Sequence, residues 1–208
     1  MKTGLSLRKI SYYLPDFSQT NDELKTIHPD WDIDNVQKKT GIFKRYIARE
    51  DETSLDLGFN ACKKLFKDYD INPEEIDALL FISQTPDYAL PPSSCVLQEK
   101  LCMSNNILAL DISLGCSGFV NSLAVASSLL KSKEVNNCLI ICAETYSKFI
   151  NQNDRTNKMI FSDASSACLI EKDESLSCIG KFSFGCDGKG AKELIVEGSG
   201  SRANLDRS

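Results

Sequence analysis

The sequence predicts an α/β fold in which helices flank a mostly parallel β-sheet. Three short apolar runs, at residues 78–83, 107–112 and 137–142, are typical of strands that are buried on both faces. Between these runs lie segments of about 15 to 25 residues, which are long enough for the crossover helices that join parallel strands. No internal linker interrupts the alternation, so we expect one domain over residues 1–208.

In the N-terminal part of the chain, capping signals mark where the helices begin and end. Asn21 is expected to cap the first helix. Gly41 is expected to end the second, because glycine is favoured just past the C-terminus of a helix. Thr53 or Ser54 is expected to cap a third, longer helix. The elements predicted before this third helix are a strand at 5–13, helices at 22–28 and 34–39, and a strand at 42–48.

The C-terminal part of the chain continues the same alternation. Helices are expected at 93–101, after the Pro91–Pro92 pair, and at 117–130. The apolar runs at 165–171 and 177–184 are separated by only a short turn. A short turn can join antiparallel strands only, so these two runs are predicted to pair as an antiparallel hairpin.

Cys116 stands between the predicted strand at 107–112 and the predicted helix at 117–130. A helix N-terminus stabilises a thiolate through its partial positive charge, and its free N–H groups can bind an oxyanion. The segment from Asp111 to Phe119 is therefore typical of a nucleophile elbow with sulfur in place of oxygen. The alternative is a small buried cysteine in a turn flanked by Gly115 and Gly118.

Charge and composition argue against several classes of function. The chain carries 24 basic and 29 acidic residues that are well mixed, which disfavours a nucleic-acid partner. No apolar run approaches the ~20 residues of a membrane helix, and the N-terminus lacks the apolar segment of a leader. We therefore expect a cytoplasmic protein without a membrane partner.

The chain has nine cysteines but no Cys-x-x-Cys pair, and His28 is its only histidine. This combination argues against a zinc site, and we expect no metal. Without a leader, free thiols are the default state of the cysteines. The eight cysteines other than Cys116 are predicted to be small buried core residues.

Several short motifs follow one another through almost the whole chain. They are Tyr13-Leu14-Pro15, Lys39-Thr40-Gly41-Ile42 with Arg45, Pro91-Pro92-Ser93-Ser94-Cys95, the Cys116 segment, Asp154-Arg155, the run from Phe161 to Ala167, and Asp187-Gly188. In this order they resemble the N-terminal half of β-ketoacyl-ACP synthase III, a member of the thiolase-like superfamily. The resemblance implies a thiolase-like fold, with a mostly parallel five-stranded sheet flanked by helices as one half of a five-layered α/β/α/β/α sandwich.

The resemblance also implies an activity. Cys116 would take an acyl group from a CoA or ACP thioester, and the complete enzyme would condense it with malonyl-ACP to give 3-oxoacyl-ACP in fatty-acid or related acyl-chain biosynthesis. The expected partners are acyl-CoA or acyl-ACP, malonyl-ACP and a second copy in a homodimer, with no covalently bound cofactor. The family's catalytic histidine and asparagine lie in the half that this chain lacks, and His28 does not match that histidine. We therefore expect this fragment alone to be inactive in condensation.

Four further site residues follow from the resemblance. Arg155 matches an arginine that helps to hold the nucleotide end of CoA, and Lys39 stands where the family has a second arginine. Phe161 is expected to line the acyl pocket, and Leu90 falls where a bulky residue closes the pocket of the partner subunit. Asn35 occupies the position of the family's adenine-stacking tryptophan, which leaves two alternatives open: the donor is an acyl-ACP, or the nucleotide of CoA binds differently.

Two further polar residues have expected roles. Asp163 is expected to be structural, and Glu144 to act as a capping or hydrogen-bonding residue.

Two alternative functions are open. One alternative function is transfer of the acyl group to a small alcohol or amine without condensation. The other is a non-catalytic dimerisation or assembly module in which Cys116 is unreactive.

Overall fold

The fold of residues 4–173, 179–196 and 199, taken from a computed structural model, contains seven strands and six α-helices. In chain order they are β1 (Leu5–Tyr13), β2 (Ser18–Thr20), α1 (Asn21–Ile27), α2 (Ile33–Thr40), β3 (Lys44–Tyr46), α3 (Ser54–Tyr69), β4 (Ala78–Ile82), α4 (Ser93–Lys100), β5 (Leu108–Ile112), α5 (Gly118–Leu129), β6 (Asn137–Glu144), α6 (Arg155–Lys158) and β7 (Ala164–Lys172). Short 3₁₀ turns lie at Pro73–Glu75, Tyr146–Lys148 and Gly188–Lys192.

Five strands form the main sheet in the order β1-β7-β6-β4-β5. β4 is parallel to both β5 and β6, whereas β7 is antiparallel to both β6 and β1. Four strands therefore run in one direction and only β7 runs in the other. This arrangement confirms the prediction of a mostly parallel sheet flanked by helices.

The predicted hairpin between 165–171 and 177–184 is wrong. The first run forms β7 as expected, but β7 lies inside the sheet with β1 on one side and β6 on the other. Both of its edges are therefore occupied, and no edge is left for a following strand. Residues 179–184 belong to no strand, and residues 174–178 lie outside the described part of the chain.

The cap of α1 differs from the prediction. Thr20, not Asn21, is the N-cap, and it forms a reciprocal capping box with Glu23. Asn21 is instead buried, and its Oδ1 accepts a hydrogen bond of 2.7 Å from Nη1 of the buried Arg45. Thr20 also ends β2, which pairs antiparallel with β3 in a small second sheet that the sequence did not predict.

The other two capping predictions are confirmed. Gly41 ends α2 in the left-handed region, with φ of +72°. Thr53 is the N-cap of α3, and its side chain forms a capping box with Asp56. The choice left open between Thr53 and Ser54 is therefore settled in favour of Thr53.

The core lies on both faces of the sheet, because successive side chains of a strand point to opposite faces. On β4, Leu79 and Phe81 pack in a cluster with residues of α3, whereas Leu80 and Ile82 pack in a cluster with residues of α5. All five residues of β4 are buried, as the apolar run predicts. The helices α3 and α5 thus cover opposite faces of the sheet.

β5 is less buried than predicted. Leu108 and Leu110 are 41% and 44% exposed. β5 is the edge strand of the sheet, and α5 packs mainly over the neighbouring β4 and β6. One face of β5 therefore lacks a cover within the described part of the chain.

The prediction that all cysteines other than Cys116 are buried is only partly right. Cys62, Cys138 and Cys168 are buried, and burial raises the pKa of the Cys138 and Cys168 thiols to about 12. Three others, which lie on α4 or in loops, are exposed: Cys95, Cys102 and Cys186. Cys142 is half-buried, all of these thiols are free, and Cys178 lies outside the described residues.

No helix among the described residues has the length and apolar character needed to cross a lipid bilayer.

Candidate active site

The candidate site lies where three neighbouring parallel strands end. The carboxyl ends of β4, β5 and β6 meet at one edge of the sheet, which is where open α/β sheets bind their ligands. Gln84 follows β4 by two residues, Cys116 follows β5 by four, and Tyr146 follows β6 by two. The fold thus brings together three side chains that are far apart in sequence.

Cys116 occupies a tight turn between β5 and α5. The turn is closed by a hydrogen bond of 2.8 Å from the Gly118 N–H to the Gly115 carbonyl, and α5 begins at Gly118. Cys116 is exposed, so it does not fit the alternative of a buried core cysteine. The residue that caps α5, Ser117, makes no side-chain hydrogen bond to the first turn of the helix. The predicted strand–turn–helix arrangement around Cys116 is therefore present.

Two glycines allow the close packing of this turn. A Cβ atom at Gly118 would lie 2.5 Å from Cγ2 of Ile82, so only glycine lets α5 start directly against β4. A Cβ atom at Gly115 would lie 2.2 Å from Oε1 of Gln84. The side chain of Gln84 therefore lies directly on the backbone of the residue that precedes Cys116.

Asp111, the first residue of the cysteine motif, fixes a neighbouring helix. Its two carboxylate oxygens each accept a hydrogen bond of 2.7 Å, one from the N–H of Ser93 and one from that of Ser94. These N–H groups open α4, whose N-cap residue Pro92 has no side chain that can cap them. Asp111 thus caps α4 from β5 and couples the position of α4 to the strand that leads to Cys116.

Glu144 orders the segment that follows β4. Its carboxylate accepts hydrogen bonds of 2.8 Å from the Gln84 N–H and 2.8 Å from the Thr85 hydroxyl, with a longer one from Ser83. Burial raises the pKa of this carboxyl group. The expected hydrogen-bonding role of Glu144 is therefore confirmed, and its effect is to fix the backbone that carries Gln84.

Gln84 and Tyr146 are two residues of the candidate site that the sequence did not predict. The Tyr146 hydroxyl donates a hydrogen bond to Oε1 of Gln84, and the Tyr146 ring stacks on Phe161 with 5.4 Å between ring centroids. The pKa of Tyr146 is raised first by burial and then by the charges of Glu144 and Cys116, so the phenol remains a hydrogen-bond donor. The available signal was their position two residues past the ends of neighbouring strands.

Phe161 and Leu90 have different environments. Phe161 is 39% exposed and contacts Tyr146, which connects it to the surroundings of Cys116. Leu90 is 82% exposed, so it lines no enclosed pocket within this chain.

The two residues expected to hold CoA lie on exposed parts of neighbouring short helices. Lys39 is in the last turn of α2, and Arg155 is the first residue of α6. The residue directly after α6, Met159, packs on Ile33 of α2 in a small core cluster. This packing brings the two helices together.

Trp31 does not take the place of the adenine-stacking tryptophan that the family has at the position of Asn35. The indole ring of Trp31 is stacked on the imidazole of His28, with 3.7 Å between ring centroids. Asn35, at the family's tryptophan position, is exposed on α2. The only histidine of the chain is therefore engaged with Trp31, on the side of the fold that carries α1 and α2.

Asp163 is fully buried and holds three segments together. Its carboxylate accepts hydrogen bonds of 2.8 Å from the Ala48 N–H and 2.9 Å from the Ser147 N–H, and one from the Ser147 hydroxyl. This arrangement agrees with the expected structural role. Among residues 4–173, 179–196 and 199, no group of three or more metal-binding side chains occurs.

Comparison with known proteins gives consistent results. The family model of 3-oxoacyl-[acyl-carrier-protein (ACP)] synthase III matches residues 110–188, which include Cys116. A β-ketoacyl-[acyl-carrier-protein] synthase III from Caldanaerobacter subterraneus subsp. tengcongensis is 36% identical over 191 residues, which is 91% of this chain and 57% of that protein.

Solved structures match equally well. A crystal structure of a 3-oxoacyl-(acyl-carrier-protein) synthase III superposes with a TM-score of 0.89 at 38% identity, and covers 93% of this chain and 58% of that chain. A 3-oxoacyl-(acyl-carrier protein) synthase from Burkholderia xenovorans LB400 superposes with a TM-score of 0.86 at 31% identity. The match covers 96% of this chain and 57% of that chain. In sequence and in structure, the chain is similar to β-ketoacyl-[acyl-carrier-protein] synthase III proteins, and it spans a little over half the length of the relatives that it matches.

Proposed function

We propose that this chain is the part of a β-ketoacyl-ACP synthase III that accepts an acyl group on Cys116 from a CoA or ACP thioester. The observation that carries the proposal is the exposed cysteine in the turn between β5 and α5, at the carboxyl edge of the sheet. In the complete protein, we propose, the acyl group is then condensed with malonyl-ACP to give 3-oxoacyl-ACP. Residues 1–208 would form the thiolase-like domain that carries the nucleophile.

The acylation step follows from thioester chemistry. The Cys116 thiolate attacks the thioester carbonyl carbon, a new C–S bond forms, and the negative charge moves to the carbonyl oxygen. The backbone N–H of Cys116 at the start of α5 is suited to stabilise this oxyanion. When the oxyanion collapses, the original C–S bond breaks, and the carrier leaves as a thiolate that takes up a proton from solvent.

Arg155 and Lys39 are proposed to hold the phosphates of a CoA donor. Replacing Arg155 with alanine is expected to raise the KM for acetyl-CoA about tenfold, because a charge-assisted contact to phosphate is lost, with little change in kcat. The measurement is the steady-state rate of 3-oxoacyl-ACP formation by the complete protein, with malonyl-ACP in excess, over a range of acetyl-CoA concentrations. Arg8, exposed on β1, provides the matched control, and Arg8→Ala should leave KM unchanged. An unchanged KM in Arg155→Ala would contradict the assignment.

The condensation step requires its own experiment. The complete protein, acylated on Cys116 and mixed with malonyl-ACP, is expected to release carbon dioxide and form 3-oxoacyl-ACP. Release of carbon dioxide that depends on Cys116 would support the proposal. Acylation without carbon dioxide release, followed by transfer to an added alcohol or amine, would overturn the condensing function in favour of simple acyl transfer.

We also propose a homodimer in which β5 of one copy lies against β5 of the other. β5 is a terminal strand of the sheet, and its exposed Leu108 and Leu110 form an apolar surface that favours self-association. Sedimentation at micromolar concentration is expected to give a dimer for the complete protein and a shift towards monomer for Leu110→Lys. A wild-type monomer under these conditions would contradict the proposed dimer.

The proposed location is the cytoplasm. It is supported by the cysteines of the described residues, which are all free thiols, the state expected in a reducing compartment.

A further inference from the structure

Beside Cys116, the side chains of Gln84 and Tyr146 form a polar pair at the carboxyl ends of β4 and β6. The Tyr146 hydroxyl donates a hydrogen bond to Oε1 of Gln84. The Nε2 group of the same amide has no hydrogen-bond partner among the described residues, so it remains available as a donor. The Tyr146 oxygen has used its proton but can still accept a hydrogen bond. The pair therefore presents a donor and an acceptor next to each other.

Buried contacts hold this polar pair in place. The Gln84 N–H donates to the Glu144 carboxylate at 2.8 Å. The Thr145 N–H, directly before Tyr146, donates to the Thr85 hydroxyl at 2.9 Å, so the segments after β4 and β6 are joined to each other. Both Thr85 and Thr145 are buried. The donor and the acceptor thus extend from a buried hydrogen-bond network, which fixes their position relative to the sheet.

The polar pair lies within reach of an acyl group on Cys116. A Cβ atom at Gly115 would lie 2.2 Å from Oε1 of Gln84, so the amide is within about 4 Å of the Gly115 Cα. Neighbouring Cα atoms are about 3.8 Å apart, which places the amide within about 8 Å of the Cys116 Cα. A hydroxyl on the third carbon of a bound acyl chain lies about 5 Å from the sulfur and spans a distance of this size.

An alcohol matches the polar pair better than other acyl substituents do. A hydroxyl group both accepts and donates, so it can accept from Nε2 of Gln84 and donate to the Tyr146 oxygen. An unsubstituted alkyl chain displaces water from both groups and offers neither a partner. A carboxylate has no proton for the Tyr146 oxygen, and it is repelled by the charge of Glu144, which is close enough to raise the pKa of the Tyr146 phenol.

We propose that Gln84 and Tyr146 select acyl groups that carry a hydroxyl on the third carbon, so that 3-hydroxyacyl thioesters are preferred over unsubstituted ones of equal length. This inference rests on the proposed acylation of Cys116 and adds the substituent that is recognised there. Gln84 is exposed and Tyr146 is half-buried, so water competes for both groups. The expected preference is therefore about tenfold, well below that of a fully buried site. A contact at two points also fits one enantiomer better than the other.

The test compares how fast (R)-3-hydroxybutyryl, (S)-3-hydroxybutyryl and butyryl thioesters, each on CoA and on ACP, acylate Cys116 in the complete protein, followed by intact mass. The three acyl groups have the same chain length, so only the hydroxyl differs. At least one enantiomer should react about tenfold faster than butyryl. Gln84→Met, which keeps the length of the side chain but removes the amide, should abolish the preference. Tyr146→Phe should lower it about threefold, whereas Tyr12→Phe, at an exposed tyrosine of β1, should leave it unchanged.

Failure of the inference and failure of the proposed function give different results. If neither enantiomer reacts faster than butyryl, or if Gln84→Met keeps the preference, selection for the hydroxyl is overturned while acylation of Cys116 stands. If no thioester acylates Cys116, acetyl-CoA included, the proposed function itself is overturned, and the inference falls with it. A preference that disappears in Gln84→Met, with an unaltered unfolding midpoint, supports the inference.

Discussion

Replacing Cys116 with serine is expected to lower the rate of acylation by acetyl-CoA by at least about a thousandfold. A serine hydroxyl is not ionised near neutral pH, so it needs an adjacent base to become a nucleophile. A thiol ionises far more readily and is the stronger nucleophile, and within residues 1–208 the only histidine, His28, is stacked on Trp31 on another side of the fold. The measurement is the rate of acyl-enzyme formation, followed by intact mass in the wild type and in Cys116→Ser.

Exposed cysteines elsewhere in the chain provide matched controls for this prediction. Cys95 and Cys102 are both exposed free thiols, but neither follows a strand at the carboxyl edge of the sheet. Cys95→Ser and Cys102→Ser are expected to be acylated as fast as the wild type. If Cys116→Ser retains the wild-type rate, or if one of the controls loses it, Cys116 is not the nucleophile.

Replacing Asp163 with alanine is expected to lower the free energy of unfolding by about 3 kcal/mol. The change removes the acceptor for the Ala48 and Ser147 N–H groups and leaves these donors unpaired in the interior. Urea unfolding followed by circular dichroism measures the loss. Asp163→Asn retains one side-chain carbonyl oxygen and should have an intermediate effect.

The same variant distinguishes a structural role from a catalytic one. At a temperature where Asp163→Ala remains folded, its Cys116 should be acylated at close to the wild-type rate. An unchanged stability with a strongly reduced acylation rate would contradict the structural role that the hydrogen bonds of Asp163 indicate.

Elements whose signals are local were predicted well from the sequence. β4 is a short run of five apolar residues that is buried on both faces, and its bounds differ from the prediction by one residue. Gly41 and Thr53 occupy helix ends as predicted, because a left-handed C-cap and a capping box depend on only a few neighbouring residues. The turn around Cys116 was predictable for the same reason.

Features that depend on distant partners were not predictable. The sequence predicts Asn21 as a helix cap, but its side chain accepts a hydrogen bond from the buried guanidinium of Arg45. Thr20 is the N-cap instead. The apolar pattern of β5 does not reveal that the strand lies at an edge of the sheet, nor does the run at 165–171 reveal that β7 has partners on both sides. Gln84 and Tyr146 are 62 positions apart in sequence and meet only because β4 and β6 are neighbours.

Acylation of Cys116 is tested most directly by incubating the complete protein with acetyl-CoA and locating the label by intact mass and peptide mapping. A mass increase of one acetyl group is expected, carried by the peptide that contains Cys116. The proposed acylation would be contradicted if no acetyl group were gained, or if the label were spread over the exposed thiols of Cys95, Cys102 and Cys186 without preference for Cys116.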